Sequence, residues 1–342
     1  MVRIGIICPS EIAFRRFLPA LSKASDRFEF VGVAMASPEE WFGDTSNVSE
    51  EQISLQQARE YEKASSFGAK VFRGYRTIVQ SPEVDAIYLP LPPALHYRWA
   101  REALLHGKHV FVEKPSTCYL KDTEDLIRLA SSLGLALHEN YMFVFHKQIR
   151  ELNEIIAAGD AIGTPRLFRI SFGFPRRSLT DFRYNKKLGG GALLDAGGYT
   201  LRYATELLGP SARLTAAQVN YDPDFEVEIF GSATMVNEEG LTAQLAFGMD
   251  NDYHCDIEAW GSKGTITSGR ILTAPVGCVP TYTLKQNQEY TTHHFSEDDA
   301  FYKSIMRFEA CILDPALRQE NYAIIRHQSE LVQQFRELSG LS

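Results

Sequence analysis

Asp85-Ala-Ile-Tyr-Leu-Pro-Leu-Pro-Pro-Ala-Leu-His-Tyr-Arg-Trp-Ala-Arg-Glu-Ala-Leu-Leu-His-Gly-Lys-His-Val-Phe-Val-Glu-Lys-Pro115 contains one complete strand–helix–strand unit. Asp85–Leu89 is a short apolar run that stops at Pro90, which predicts a buried strand. His96–His106 has helical spacing and is ended by Gly107. His109–Val112 then reads as a second strand. Two strands joined by one such helix run parallel, with a right-handed crossover.

The same alternation extends in both directions. Upstream, Val2–Ile7, Phe28–Met35 and Lys70–Phe72 read as strands. Between them, Ile12–Lys23 carries Ile12, Phe17, Leu18 and Leu21 at helical spacing, and Ser54–Phe67 is a polar helix stopped by Gly68. Downstream come a helix over Lys121–Leu133, stopped by Gly134, and a strand over Leu135–His138. This predicts an α/β domain, a Rossmann-type parallel sheet over residues 1–122. Ligands of such sheets bind beyond the carboxyl ends of the strands. Those ends hold Cys8-Pro9-Ser10, Ala36-Ser37, Pro90–His96 and Glu113-Lys114-Pro115.

The rest of the chain changes character. After a helix at Gln148–Ala158, strands follow at Leu167–Phe174, Ala212–Tyr221, Glu226–Val236, Leu241–Phe247, Tyr253–Gly261 and Thr265–Thr267. One helix interrupts them, Gly191–Leu208, and two close the chain near Ala300–Leu313 and Tyr322–Leu338. Residues 123–342 therefore read as an α+β domain on a large, mostly antiparallel open sheet. Its helices would cover one face, and the other face would be free for a second subunit, giving a homodimer or homotetramer.

At 342 residues the chain has room for two domains. No apolar run approaches the ~20 residues that span a bilayer. The start, Met1-Val-Arg-Ile-Gly-Ile-Ile, lacks the features of a secretory signal, so a cytoplasmic protein is expected. The net charge of −8 and the absence of a basic stripe argue against nucleic acid. Five scattered cysteines suit neither a disulfide framework nor a zinc site, and no metal is expected.

The turn after the first strand should hold the glycine fingerprint of a dinucleotide site. Cys8, Ser10 and Ala13 occupy the three glycine positions, and Pro9 lacks an N–H. The helix start at Glu11 and Ile12 still offers N–H groups to a pyrophosphate. At the end of the second strand, Ser37 stands where an acid would favour NAD, which leaves NADP or NAD open with a lean to NADP. Lys114 follows a strand and would reach over the sheet edge, although a lysine in a loop is most often solvated. Gly189-Gly190-Gly191 opens the helix that carries Asp195 and Tyr199, four residues apart on one face. Gly197 and Gly198 each cost about 1 kcal/mol inside a helix, so a cofactor ring or another backbone is expected against them.

Several segments occur together in order: Ile4-Gly5-Ile6-Ile7, Gly107-Lys108-His109-Val110-Phe111-Val112-Glu113-Lys114-Pro115, Glu139-Asn140-Tyr141-Met142-Phe143 and Gly189–Tyr199. The chain thereby resembles the Gfo/Idh/MocA oxidoreductase family from residue 2 to about 210. Ser10–Ala20 and Leu89–Trp99 resemble its NDP-hexose 3-ketoreductase branch. The resemblance implies NAD(P)-dependent hydride transfer to or from a sugar carbon, with a keto group on a nucleotide-linked sugar as substrate. A free aldose, polyol or dihydrodiol is the alternative substrate, and a non-catalytic dinucleotide or sugar-phosphate sensor the alternative of another class. The implied catalytic set is Tyr199 as acid/base, Lys114 as its electrostatic helper, and Asp195. Cofactor contacts would come from Cys8, Ser10, Glu11, Ile12, Ser37, Pro90, Leu91, Leu95, His96, Glu113 and Lys114. Substrate contacts would come from Tyr141, Arg183, Tyr184, Asp195, Tyr199 and Arg202.

Overall fold

The computed structural model describes residues 1–341. Six strands, β1 (Val2–Ile7), β2 (Phe28–Met35), β3 (Lys70–Arg73), β4 (Ala86–Leu89), β5 (His109–Glu113) and β6 (Leu137–Asn140), form the first sheet. Their order is β3-β2-β1-β4-β5-β6 and every pair is parallel. Between β1 and β4 the order reverses, which opens a crevice at the carboxyl ends of those strands. Apolar side chains fill both faces, as a parallel sheet requires. Phe17 stacks on Tyr88 at 3.9 Å, and Tyr88 meets Phe111 edge-on at 5.4 Å. The crossover helix Pro93–Leu105 buries Trp99, Ala100, Ala103 and Leu104.

A second sheet has eight strands: β7 (Pro165–Gly173), β8 (Arg213–Tyr221), β9 (Glu228–Val236), β10 (Thr242–Gly248), β11 (His254–Gly261), β12 (Thr265–Gly269), β13 (Thr281–Gln286) and β14 (Glu289–His294). Their order is β14-β13-β12-β11-β7-β10-β9-β8. All pairs are antiparallel except β7 with β10. Alternation decides the faces. On β9, Ile229, Ala233 and Met235 are buried while Phe230 and Ser232 are exposed; on β11, Cys255, Ile257 and Ala259 are buried while Trp260 is exposed. The helix Gly198–Leu208 lies against β7 and β10 on the buried face.

The chain divides into two compact units. One comprises residues 1–117, 121–140 and 304–325; the other comprises 118–120, 141–303 and the chain from 326 onward. The expected boundary at 122/123 is a single cut, whereas residues 121–140, which end in the edge strand β6, belong to the first unit, and residues 304–325 return to it.

Several elements differ from the sequence expectation. The helix expected from Ser54 starts at Glu50, because Ser49 and Gln52 form a capping box. The last helix runs over Pro315–Ser339, well before Tyr322. Strands β13 and β14 went unexpected because neither buries a regular apolar face. Two helical stretches are π-helical, Ala13–Phe17 and Leu193–Gly197. Among the described residues, no helix is long and apolar enough to cross a membrane.

The first unit holds two histidines kept neutral by burial: His109 is pushed down to about 4 and His138 to about 3. In each case the unfolded chain binds a proton at higher pH than the native state does. The stabilisation is complete above about pH 6.5 and is lost as pH falls through that value toward 4. Thermal unfolding should therefore soften between pH 6.5 and 5, and His138→Gln should flatten that slope. An unchanged slope in the variant would refute the assignment.

Candidate active site

In the first unit, the site begins at the turn after β1. Cys8 has φ +79°, the left-handed conformation that the first fingerprint glycine ordinarily supplies. Its thiol meets the Tyr75 hydroxyl, and burial pushes it up to about 11, so it stays a neutral thiol. The Ser10 amide donates to the Cys8 carbonyl at 2.9 Å, closing a tight turn around Pro9. Ser10 Oγ accepts from the Ala13 amide at 3.3 Å and caps the helix. The first intrahelical bond runs from Phe14 N to Ser10 O. The Glu11 and Ile12 amides thus precede the helical ladder, at the positive end of a helical stretch over residues 11–22. These residues suit the pyrophosphate of a dinucleotide without the glycines.

Ser37 caps the short helix Pro38–Phe42, and its hydroxyl donates to Glu39 Oε2 at 2.9 Å. Glu40 accepts from the amides of Ser37 (2.8 Å), Tyr75 (2.7 Å) and Arg76 (3.2 Å), tying the end of β2 to the helix Tyr75–Val79. Nothing in the sequence pattern had marked Glu40 or Tyr75. The loop after β4 is held from below by His96, which is fully buried. Its Nε2 lies 2.7 Å from the Leu91 carbonyl and its Nδ1 2.7 Å from that of Pro115. Glu113 accepts from the Tyr88 hydroxyl and the Asn140 amide, both at 2.7 Å. Burial pushes its carboxyl up, and the Asn140 and Tyr88 bonds act in the opposite sense. His96 and Glu113 therefore shape the loops that present Leu91, Leu95 and Lys114. Lys114 is half-buried at the head of the turn.

In the second unit, Tyr199 is 8% exposed. Its ring is boxed by Phe172 (5.2 Å), Tyr141 (5.3 Å) and Phe143 (5.6 Å). Asp195 lies one turn earlier, inside the π-helical stretch. Arg183 Nε donates to Asp195 Oδ2 at 2.6 Å and Nη1 to Asp181 Oδ1 at 3.1 Å. The Tyr184 hydroxyl accepts from the Arg177 amide (2.9 Å) and donates to the Met249 carbonyl (3.3 Å), and its ring stacks on Phe225. That side chain ties the loop to the chain around Arg177 and Met249. Arg202 is 8% exposed and pairs with Glu206 at 2.8 Å.

The helix glycines have a different reason from the expected cofactor ring or backbone. A Cβ on Gly198 would strike the Tyr141 hydroxyl, and one on Gly197 would meet the Phe247 ring at 3.0 Å. Gly191, with φ +117°, leaves room for the Glu228 carboxylate, which accepts from the Leu193 amide at 3.0 Å. Sequence periodicity could not have flagged Glu228, a lone acid within a strand. Among the described residues, no cluster of three His, Cys, Asp or Glu side chains could hold a metal ion.

A doubly wound parallel sheet with an anion-ready helix start, followed by an open-sheet α+β unit, defines a nicotinamide-dinucleotide oxidoreductase. Residues 2–141 match the oxidoreductase family with an NAD-binding Rossmann fold, and residues 149–267 match the GFO/IDH/MocA C-terminal domain. The chain belongs to the Gfo/Idh/MocA oxidoreductase family. It is 35% identical to dTDP-3,4-didehydro-2,6-dideoxy-alpha-D-glucose 3-reductase of Streptomyces violaceoruber, covering 99% of this chain and 96% of that one. It is similar to a 3-ketoreductase from Actinomadura kijaniata solved with NADP and TDP-benzene, at TM-score 0.86 and 32% identity, covering 99% of this chain and 98% of that one. Solved forms of that enzyme include a tyrosine-to-phenylalanine and a lysine-to-alanine mutant. Aldose-aldose oxidoreductase from Caulobacter crescentus shares the fold, at TM-score 0.77 and 20% identity.

Gly198→Ala should destabilise the protein by about 1–3 kcal/mol through its collision with Tyr141. In the double variant with Tyr141→Phe, which removes the colliding oxygen, most of that loss should return. A denaturant double-mutant cycle measures it. Strict additivity would show that Tyr141 is not what excludes a side chain there.

Proposed function

We propose that this enzyme uses NADPH to reduce a keto carbon in the sugar ring of a TDP-linked deoxysugar. Its similarity to 3-ketoreductases over nearly its whole length supports this substrate class. The observation that carries the chemistry is Tyr199, a phenol in an aromatic box one helical turn from a carboxylate. The pyrophosphate would be held by the Ser10, Glu11 and Ile12 turn, and the adenosine ribose by Ser37. Leu91, Leu95 and Lys114 would line the nicotinamide end. The reduced dinucleotide supplies a hydride to the keto carbon. Tyr199 then donates its phenolic proton to the oxygen that becomes the new hydroxyl. Lys114 would stabilise the negative charge that develops on that oxygen. Tyr141 and Arg202 would border the sugar.

The bare face of the second sheet supports a homo-oligomer. Phe230 and Trp260 are 46% and 51% exposed on it, Leu167 lies beside Trp260 in register, and Arg169 pairs with Glu258 at the middle. An apolar and charge-neutralised face of this kind suits a second copy. None of the five cysteines forms a disulfide, which suits a reducing, cytoplasmic compartment.

Tyr199→Phe should lower kcat about 10²–10⁴-fold while KM for the nucleotide sugar changes little. Lys114→Ala should lower kcat as well. Steady-state kinetics with NADPH and a TDP-linked 3-keto sugar checks both. A Tyr199→Phe enzyme that keeps most of its kcat would exclude Tyr199 as the proton donor.

A further inference from the structure

The triple glycine and Arg183 form one construction. Arg183 lies in the short 3-10 turn Phe182–Tyr184. Its carbonyl accepts from the Gly191 amide at 2.9 Å, and a Cβ on Gly190 would collide with that same carbonyl. Gly189 and Gly191 take φ +79° and +117°, which other residues rarely adopt. The glycines thus let two backbone segments touch and fix where the Arg183 side chain starts.

The other end of that side chain is fixed too. Its guanidinium spans two carboxylates, Asp195 through Nε and Asp181 through Nη1, and lies over the Phe182 ring at 4.6 Å. The Arg183 side chain is 22% exposed and that of Asp195 14%. The charge sum is also informative. Two carboxylates against one guanidinium leave this cluster net negative, and Glu228 lies just behind Gly191. A diphosphate would meet that charge unfavourably.

We propose that Arg183 is a positioning residue that holds Asp195 in register with Tyr199, and not a ligand of the substrate's diphosphate. The proposal rests on the catalytic reading of Tyr199 given above. A planar guanidinium can bridge two carboxylates at fixed spacing, whereas an ammonium makes a looser point contact. The arrangement therefore calls for arginine specifically.

The test uses the full-length enzyme with NADPH and a TDP-linked 3-keto sugar, together with calorimetric titration of TDP alone. Arg183→Gln should lower kcat about ten- to a hundredfold, the scale of a small misplacement at a reacting centre. KM and TDP affinity should stay within about twofold. Arg183→Lys should recover part of the loss. Gly190→Ala should reproduce it without removing any charge. Should Arg183→Gln fail to fold, Asp181→Asn removes one arm of the clamp and should still lower kcat with KM unchanged. A large loss of TDP affinity with kcat intact would make Arg183 a diphosphate ligand and overturn the proposal, as would variants with wild-type kcat. Tyr199→Phe separates the two levels. If it remains active, the catalytic reading itself fails. If it is inactive while Arg183→Gln keeps full kcat, only the positioning role fails.

Discussion

The second unit depends on a constraint of space: along Gly189–Gly198 the backbone must touch its neighbours where no side chain fits. Gly190 leaves room for the Arg183 carbonyl, Gly191 for the Glu228 carboxylate, and Gly198 for the Tyr141 hydroxyl. Each contact orients something chemical. The first sets the arginine that grips Asp195. The second satisfies the start of the helix through Leu193. The third draws Tyr141 against the turn from which Tyr199 projects. Glycine costs helix stability at 197 and 198. That cost is tolerated because the close packing it permits fixes an aromatic and a carboxylate together.

The first unit meets a related problem without glycine. At the head of β1, Cys8 takes a left-handed conformation that costs an ordinary residue roughly 1–2 kcal/mol. Burial of its thiol against Tyr75 and the tight Cys8–Ser10 turn offset the strain. Pro9 brings no N–H and the Ser10 amide is consumed inside the turn. The proposed pyrophosphate contact therefore falls to the next two amides, at Glu11 and Ile12, where the helix end supplies positive potential.

The sequence was most legible where burial is two-sided and local. All six strands of the first sheet were read from short runs rich in apolar residues, several of them next to Gly or Pro, and β1 and β2 matched to the residue. Strands β13 and β14 escaped because Tyr282, Thr283 and Lys285 are only half-buried and most of 289–294 is exposed. The parallel pairing of β7 with β10 is set by tertiary packing, which alternation along one strand does not encode. At the site, Lys114, Asp195, Tyr199 and the glycines stood out by residue type. Their partners Glu228, Tyr141 and Asp181 are distant in sequence or lack a pattern there, so the reasons for those glycines and for the Arg183 clamp needed the fold. The backbone bonds of Tyr184 to Arg177 and Met249 needed the fold for the same reason.

The central claim is that a turn built on Cys8, Pro9 and Ser10 still seats a nicotinamide dinucleotide. Isothermal titration of the purified protein with NADPH and with NADH addresses it most directly. The account predicts micromolar binding of one dinucleotide per chain, tighter for NADPH. Absence of binding for both at millimolar concentration would contradict it.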